Sequence, residues 1–245
     1  MKREYEQLIE LIQKAQNTVF FGGAGVSTES GLKDFRGKGG LYTDETTDIS
    51  PAEILSRNYF FRKPKMFFDY YRKNMLVAGI KPNAAHYALA KLEEIGKLKA
   101  VITQNIDGLH QLAGSKNVFE LHGTVYGNHC ILCDKEFPFS FVADTEDIPY
   151  CDECGALIHP DIVLYGEQLP AKAWFGAEDA IMQADLLIIS GTSLLVEPAA
   201  SLVRMYQGGK LVIINKTPTP TDERADILIR EPVGQVLGEI IGHFS

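Results

Sequence analysis

Hydrophobic positions along the chain form short buried runs that alternate with helical stripes. Tyr5, Leu8, Ile9, Leu11, Ile12 and Ala15 recur at helical spacing and predict an opening helix of about three turns. Thr18-Val19-Phe20-Phe21 predicts a buried strand that runs straight into Gly22-Gly23-Ala24-Gly25, and a polar, glycine-rich stretch continues to Gly40. Residues 64–78, with Met66, Phe67, Tyr70, Tyr71 and Met75, predict a helix with an aromatic face. A second helix is expected over 83–95, with Gly96 as its stop. Strands follow at 99–103 and 117–121. Residues 125–160 break the alternation, carrying all four cysteines and no long apolar period. It resumes with a strand at 161–165, a helix over 171–184 and a strand at 185–189. A helix from Pro198, strands at 210–214 and 226–229, and a helix from Val233 complete the chain.

Such alternation predicts an α/β fold, a mostly parallel sheet with helices on both faces. Ligands of these sheets lie beyond the carboxyl ends of the strands, near the point where strand order reverses. The polar loops at 22–36, 103–110, 122–123, 190–193 and 215 all follow predicted strands. Their clustering is the first pointer to function.

Composition narrows the possible partners. With 245 residues, 45% hydrophobic and 23% charged, the chain can bury a core without disulfide support. A formal net charge of -8 gives no general field for nucleic acid or an anionic membrane, so neither is expected as a partner. A basic protein surface would suit this balance better. The apolar runs are too short to cross a bilayer, and the charged start at Met1-Lys2-Arg3-Glu4 lacks the apolar segment of a targeting peptide. A cytoplasmic protein is expected.

Cys130-Ile131-Leu132-Cys133 and Cys151-Asp152-Glu153-Cys154, separated by 17 residues, have the spacing of a two-pair zinc site. Each pair can turn around one side of a tetrahedral ion, and four sulfur ligands leave no position open to water. The site is therefore expected to be structural, with Cys130, Cys133, Cys151 and Cys154 holding one zinc ion. Two disulfides are the alternative, disfavoured in a reducing compartment.

Gly23-Ala24-Gly25 stands where a glycine-rich loop brings backbone N–H groups against a phosphate. Thr28 occupies the place of the third glycine of G-x-G-x-x-G, so a purely steric strand-to-helix turn is an equal reading of the loop by itself. Downstream, Asp34-Phe35-Arg36 sets an aromatic ring between an acid and a base. Thr103-Gln104-Asn105-Ile106-Asp107 follows a strand directly. Helix capping accounts for Asp107 but not for Gln104 and Asn105 as well.

From here the chain resembles the sirtuin (Sir2) family of NAD-dependent protein deacylases, in its bacterial form. The family pattern reads G-A-G-x-S, S-G-I-P-D-F-R, T-Q-N-I-D-x-L-H, H-G, two cysteine pairs, F-G-E, G-T/S-S-L and I/V-N. Matching it are Gly23 to Ser27, Ser30 to Arg36, Thr103 to His110, His122-Gly123 and the cysteines. Tyr165-Gly166-Glu167, Gly191 to Leu194 and Ile214-Asn215 follow in the same order. Lys33 replaces the usual proline, Gly22 a threonine and Tyr165 a phenylalanine; the first of these bears on NAD affinity.

The resemblance implies one catalytic domain. A large Rossmann-like part would comprise about 1–40, 82–124 and 160–245, and a small module the insertions at about 41–81 (helical) and 125–159 (zinc ribbon). It implies NAD as co-substrate, with Gly23, Ala24, Gly25 and Thr28 along the phosphates and ribose, Arg36 nearby and Phe35 shielding the reacting carbon. Gln104 and His122 would reach the nicotinamide ribose, Ile106 and Asp107 the carboxamide, and Asn105 the reacting end. Gly191, Thr192, Ser193 and Asn215 would cover the adenosine side. The catalytic residues would be His122, as general base, and Asn105. An acyl-lysine protein substrate would lie extended between Val163, Tyr165, Gly166 and Glu167 on one side and Leu194 and Val196 on the other. Products would be free lysine, nicotinamide and O-acetyl-ADP-ribose. His86, His110, His129 and His159 receive no such role.

Mono-ADP-ribosyl transfer from the same pocket is the main alternative. Desuccinylation is another, but the Tyr-x-x-Arg pair of succinyl-preferring members falls on Asp69 and Arg72, and Tyr70 and Lys73 repeat the spacing about 100° around the helix. A non-catalytic binding module is disfavoured by the intact polar loops, and a hydride-transferring dehydrogenase by the missing glycine.

Overall fold

The computed structural model describes residues 1–244 except Arg36, Lys38, Gly39, residues 41–48 and Ala78. Helix α1 (Arg3–Lys14) buries the stripe Tyr5, Leu8, Ile9 and Ile12, and β1 (Thr18–Gly22) is buried at every position. Two single 3-10 turns, Ala24–Val26 and Thr28–Ser30, follow β1. Three helices then run in succession: α2 (Pro51–Ile54), α3 (Arg57–Arg62) and α4 (Pro64–Asn74). The first two start on serines, Ser50 and Ser56, whose hydroxyls accept the N–H groups of Glu53 and Tyr59. At four and six residues they are too short to show a period, which is why only α4 was expected.

Helix α5 (Ala84–Glu94) begins at Asn83, whose side chain accepts the Ala85 N–H while His86 Nδ1 accepts the Asn83 N–H. Next come β2 (Ala100–Thr103), the single turn α6 (Leu109–Leu112), β3 (Val118–Glu120) and β4 (Gly123–Cys130). The small module continues with β5 (Glu136–Pro138), α7 (Phe139–Ala143) and β6 (Ile158–Ile162). The chain ends with α8 (Ala171–Gln183), β7 (Leu186–Ser190), α9 (Ala199–Met205), β8 (Lys210–Ile214), β9 (Ile227–Ile229) and α10 (Val233–Ile240).

Six strands form one parallel sheet in the order β3-β2-β1-β7-β8-β9. The order reverses between β1 and β7, as in doubly wound folds. Gly22 lies opposite both Thr103 and Ser190, and Ser190 opposite Ile214. Four strands thus end level, and their following loops open on one edge.

Successive β1 side chains point to opposite faces. Phe20 joins α1, α5 and α10 in one core with Leu8, Leu89 and Leu237. Val19 and Phe21 join α8 and α9 in the other, with Ile181 and Leu202. A third cluster binds α2, α3 and α4 to the small sheet through Phe60, Phe67, Phe68, Tyr71, Phe137 and Ile158.

That small sheet, in the order β5-β4-β6, is antiparallel, with a register shift between Gly123 and Asn128. It corrects the strand expected at 161–165. The strand is Ile158–Ile162 and pairs with β4, outside the parallel sheet. Asp161 to Tyr165 is an apolar run, but beyond Ile162 its backbone turns to α2 and α3: Tyr165 N–H donates to Leu55 and Arg57 N–H to Tyr165. Strand β4 mixes glycine, polar and aromatic residues, so its presence was hidden in the sequence.

Candidate active site and metal centre

At the switch point the loops after β1 and β7 touch backbone to backbone. Gly25 N–H donates to Gly191 at 2.8 Å and Gly23 N–H to Ser190 at 3.2 Å. A Cβ on Gly25 would lie 2.6 Å from the Gly191 Cα, and Gly191 itself has φ of +61°. Glycine at both positions is therefore a requirement of close approach. The first loop is held from three sides. Asn83 Nδ2 donates to the Val26 carbonyl (2.8 Å) and to Ser30 Oγ (3.0 Å), Glu29 accepts the Gly234 N–H (2.7 Å), and Thr28 Oγ1 donates to Gly25 (2.9 Å).

The loop after β2 meets it at Ser27. Ser27 Oγ donates to Asp107 Oδ2 at 2.6 Å and accepts from Asn105 Nδ2 at 3.0 Å. Asp107 also accepts the Leu109 N–H through Oδ1, so one carboxylate caps α6 and anchors the glycine loop. Asn105 is buried, and its own N–H goes to Thr103 Oγ1. Gln104 Nε2 reaches Thr192 Oγ1 at 3.1 Å, tying this loop to the one after β7.

His122 stands between β3 and β4, with Nδ1 2.9 Å from the Gln104 carbonyl. A carbonyl only accepts, so Nδ1 carries the proton and Nε2 keeps a lone pair. Among the described residues Nε2 has no hydrogen-bond partner. Burial pulls the imidazole below its ordinary pKa, and the Gln104 carbonyl opposes this only in part. The ring is therefore neutral at neutral pH.

Gly23, Ala24, Gly25, Gln104, Asn105, Asp107, His122, Gly191 and Thr192 thus belong to one bonded cluster, with Ser193 next along the chain. Ile106 and Phe35 pack on the third core. Asn215, after β8, donates to the Thr217 carbonyl, and Arg230 clamps the carbonyls of Asn215 and Thr217. Arg36 lies outside the described residues. Val163, Tyr165, Gly166 and Glu167 follow β6, and Leu194 and Val196 follow β7. Sequence reasoning assigned no role to Ser27, Asn83 or Glu29. The first belonged to a quoted motif, and the other two carried only the signal of a cap and a surface acid. A groove of about 340 Å³ bordered by Asn17, Lys99, Asn117 and Phe119 lies at the opposite, amino-terminal end of the sheet and contains none of these residues.

In the small module the four cysteine sulfurs lie within 4.8 Å of one another. Three of their separations are 3.3 Å (Cys130–Cys154), 3.6 Å (Cys133–Cys151) and 3.6 Å (Cys133–Cys154). Sulfurs at the usual zinc distance of ~2.3 Å form a tetrahedron with edges of about 3.8 Å. Each knuckle also aims an N–H at sulfur, Leu132 at Cys130 and Glu153 at Cys151. The donor set fits one zinc ion. His129 is turned away, pairing with Asp161 at 2.5 Å.

A parallel sheet with a glycine loop at its switch point is the architecture of a dinucleotide-binding α/β protein, here with an inserted ribbon whose four thiols could hold a metal ion. The chain belongs to the Sir2 family: the model of that family matches residues 23–198. An NAD-dependent protein deacetylase of Clostridium perfringens is 50% identical over 98% of this chain and 100% of its own length. One of Staphylococcus epidermidis is 45% identical over 100% and 99%. A solved Sir2–p53 peptide–NAD+ complex has a TM-score of 0.87 at 39% identity, covering 99% of this chain and 98% of that one. A Sir2 variant with deacetylated p53 peptide and 3'-O-acetyl-ADP-ribose has a TM-score of 0.91 at 38% identity over 100% and 99%. Among the described residues no helix is long and apolar enough to cross a membrane.

Proposed function

We propose that this protein is an NAD-dependent protein-lysine deacetylase in which His122 is the general base. The observation that carries the assignment of the base is the His122–Gln104 hydrogen bond, which leaves an unprotonated Nε2 one residue from the Ser27–Asn105–Asp107 cluster. Bound NAD supplies the ribose carbon that nicotinamide leaves and the acyl oxygen of lysine joins. Within that reaction His122 takes a proton from a ribose hydroxyl at Nε2, and the Gln104 carbonyl then stabilises the imidazolium. Asn105 and Asp107, with Ile106 between them, orient the nicotinamide end. Gly23, Ala24, Gly25 and Thr28 follow the phosphates and ribose, with Arg36 placed nearby on the family pattern alone, and Phe35 shields the reacting carbon. Gly191, Thr192, Ser193 and Asn215 cover the adenosine. The acetyl-lysine peptide lies between 163–167 and 194–196, and one zinc ion on the four cysteines holds the ribbon in shape. The reading is of a cytoplasmic enzyme.

Nicotinamide release with an acetyl-lysine peptide tests it. Release should require both peptide and NAD, and His122→Ala should lower turnover by about 10²–10⁴-fold. Deacetylation without NAD, or unaffected turnover in His122→Ala, overturns the mechanism. Peptide that gains ADP-ribose and keeps its acetyl group would identify a transferase instead.

A further inference from the structure

His159 is buried on β6, at 8% exposure, between the edge of Phe60 and the ring of His129. Both its nitrogens meet oxygen: Nδ1 lies 2.5 Å from the Pro160 carbonyl and Nε2 3.1 Å from Glu167 Oε1. The second Glu167 oxygen accepts the Leu164 N–H at 2.8 Å, while the Glu167 N–H returns to the Leu164 carbonyl at 2.9 Å. Leu164 to Glu167 is thus a four-residue turn closed twice by one residue, with Gly166 at φ of +93°, where a side chain would be strained. Burial works to raise the Glu167 carboxyl, but the His159 bond, the Leu164 N–H and the nearby Arg57 charge outweigh it and hold it below its usual range.

This turn governs what the segment can offer a peptide. Val163 N–H is taken by His122, both backbone groups of Leu164 by Glu167, and both of Tyr165 by Leu55 and Arg57. Among the described residues the Val163 carbonyl and the backbone of Gly166 are left for an added strand. Their direction is set by the turn, and the turn by Glu167.

We infer that His159 is a positioning residue for peptide binding: by fixing Glu167 it orients the Val163 carbonyl and Gly166 backbone that receive the acyl-lysine strand. The inference rests on the deacetylase reading and adds a residue that touches neither substrate. Replacement by leucine frees the Glu167 carboxylate to leave Leu164. Arginine, which carries donors in several directions, keeps a bond to the Glu167 carboxylate.

Steady-state deacetylation of an acetyl-lysine peptide, with Tm and zinc content measured alongside, tests it. His159→Leu should raise the peptide KM about tenfold, leaving the NAD KM and kcat within about twofold. His159→Arg should restore most of the peptide KM, and His159→Gln, with one donor toward Glu167, should fall between. If the leucine variant does not fold, the glutamine variant decides by the same measure. An unchanged peptide KM, or a loss confined to kcat and Tm, overturns the role of His159 while leaving the deacetylase reading intact. Absence of NAD-dependent deacetylation in the unaltered protein overturns both.

Discussion

Ser27 and Asp107, 80 positions apart in the chain, share a 2.6 Å hydrogen bond across the switch point of the sheet. The same hydroxyl accepts from Asn105, so a single oxygen joins the glycine loop to two residues of the loop after β2. Ser27→Ala would leave a buried amide and a carboxylate each short of one partner, a cost of about 1–3 kcal/mol. The expected result is a rise of roughly tenfold or more in the NAD KM, since 1.4 kcal/mol corresponds to a factor of ten. Initial rates at varied NAD measure it; an unchanged NAD KM would show that the bond is incidental.

Acid should weaken the fold through a second buried pair. The rings of His86 and His110 lie 4.7 Å apart. Burial is the main cause that pushes His110 down to about 3, with His86 adding to it; burial likewise brings His86 to about 4, against the pull of Asp107. An unfolded imidazole titrates near ~6.5. Below that value the unfolded chain binds protons that the folded chain refuses. Stability is therefore complete above about pH 6.5 and falls as the pH drops, by about 1.4 kcal/mol per histidine per pH unit until the folded group itself titrates. Tm should decline between pH 7 and 5, and less steeply in His110→Leu. Equal slopes for the two proteins would refute the assignment.

Zinc should be present at one equivalent per chain by atomic absorption. Cys130 and Cys151 belong to the same core as Phe60, Phe67 and Ile158, so losing the ion loosens the α2–α4 module as well as the ribbon. A chelator, or Cys133→Ser, should lower Tm by roughly 5 °C or more, given that 1 kcal/mol moves a chain of this size by about 2–4 °C. A metal-free protein of unaltered Tm would exclude a structural ion.

Acetyl peptides should be turned over far better than succinyl peptides, by about 100-fold in kcat/KM. Arg72 is committed to the carbonyls of Val142 (3.4 Å), Glu146 (3.3 Å) and Asp147 (3.0 Å), and its guanidinium stacks on Phe68. With its side chain only 15% exposed and Asp69 as a near neighbour, both of its terminal nitrogens are already engaged and are poorly placed to take an acyl carboxylate. A two-arm rate comparison on one peptide decides, and comparable rates would mean that another cation serves.

The parallel strands were legible because strands covered on both faces carry unbroken apolar runs. Residues 18–21, 99–103, 185–189 and 210–214 were expected, and β1, β2, β7 and β8 lie within one residue of those bounds. The polar loops were legible for a related reason: polar positions directly after a strand that helix capping does not explain, such as Gln104 and Asn105, need a purpose. What stayed hidden depends on partners distant in sequence. Ser27 looks like any small loop residue until Asp107 folds beside it. Asn83 reads as the first residue of a helix; it is the cap of that helix, and its amide nitrogen serves another loop. Strand β4 lacks alternation because its register shifts midway, and β6 was displaced along with it. His159 carries no motif, and only Glu167 gives it meaning.

The central position of β1 also constrains how the protein is made. One neighbour, β2, follows it by about eighty residues, but the other, β7, is not synthesised until residue 190, and the Glu29–Gly234 bond waits for the final helix. A nascent chain on the ribosome therefore carries Val19-Phe20-Phe21 with at least one open edge until β7 is made. The loop translated first is thus seated only once the tail has emerged.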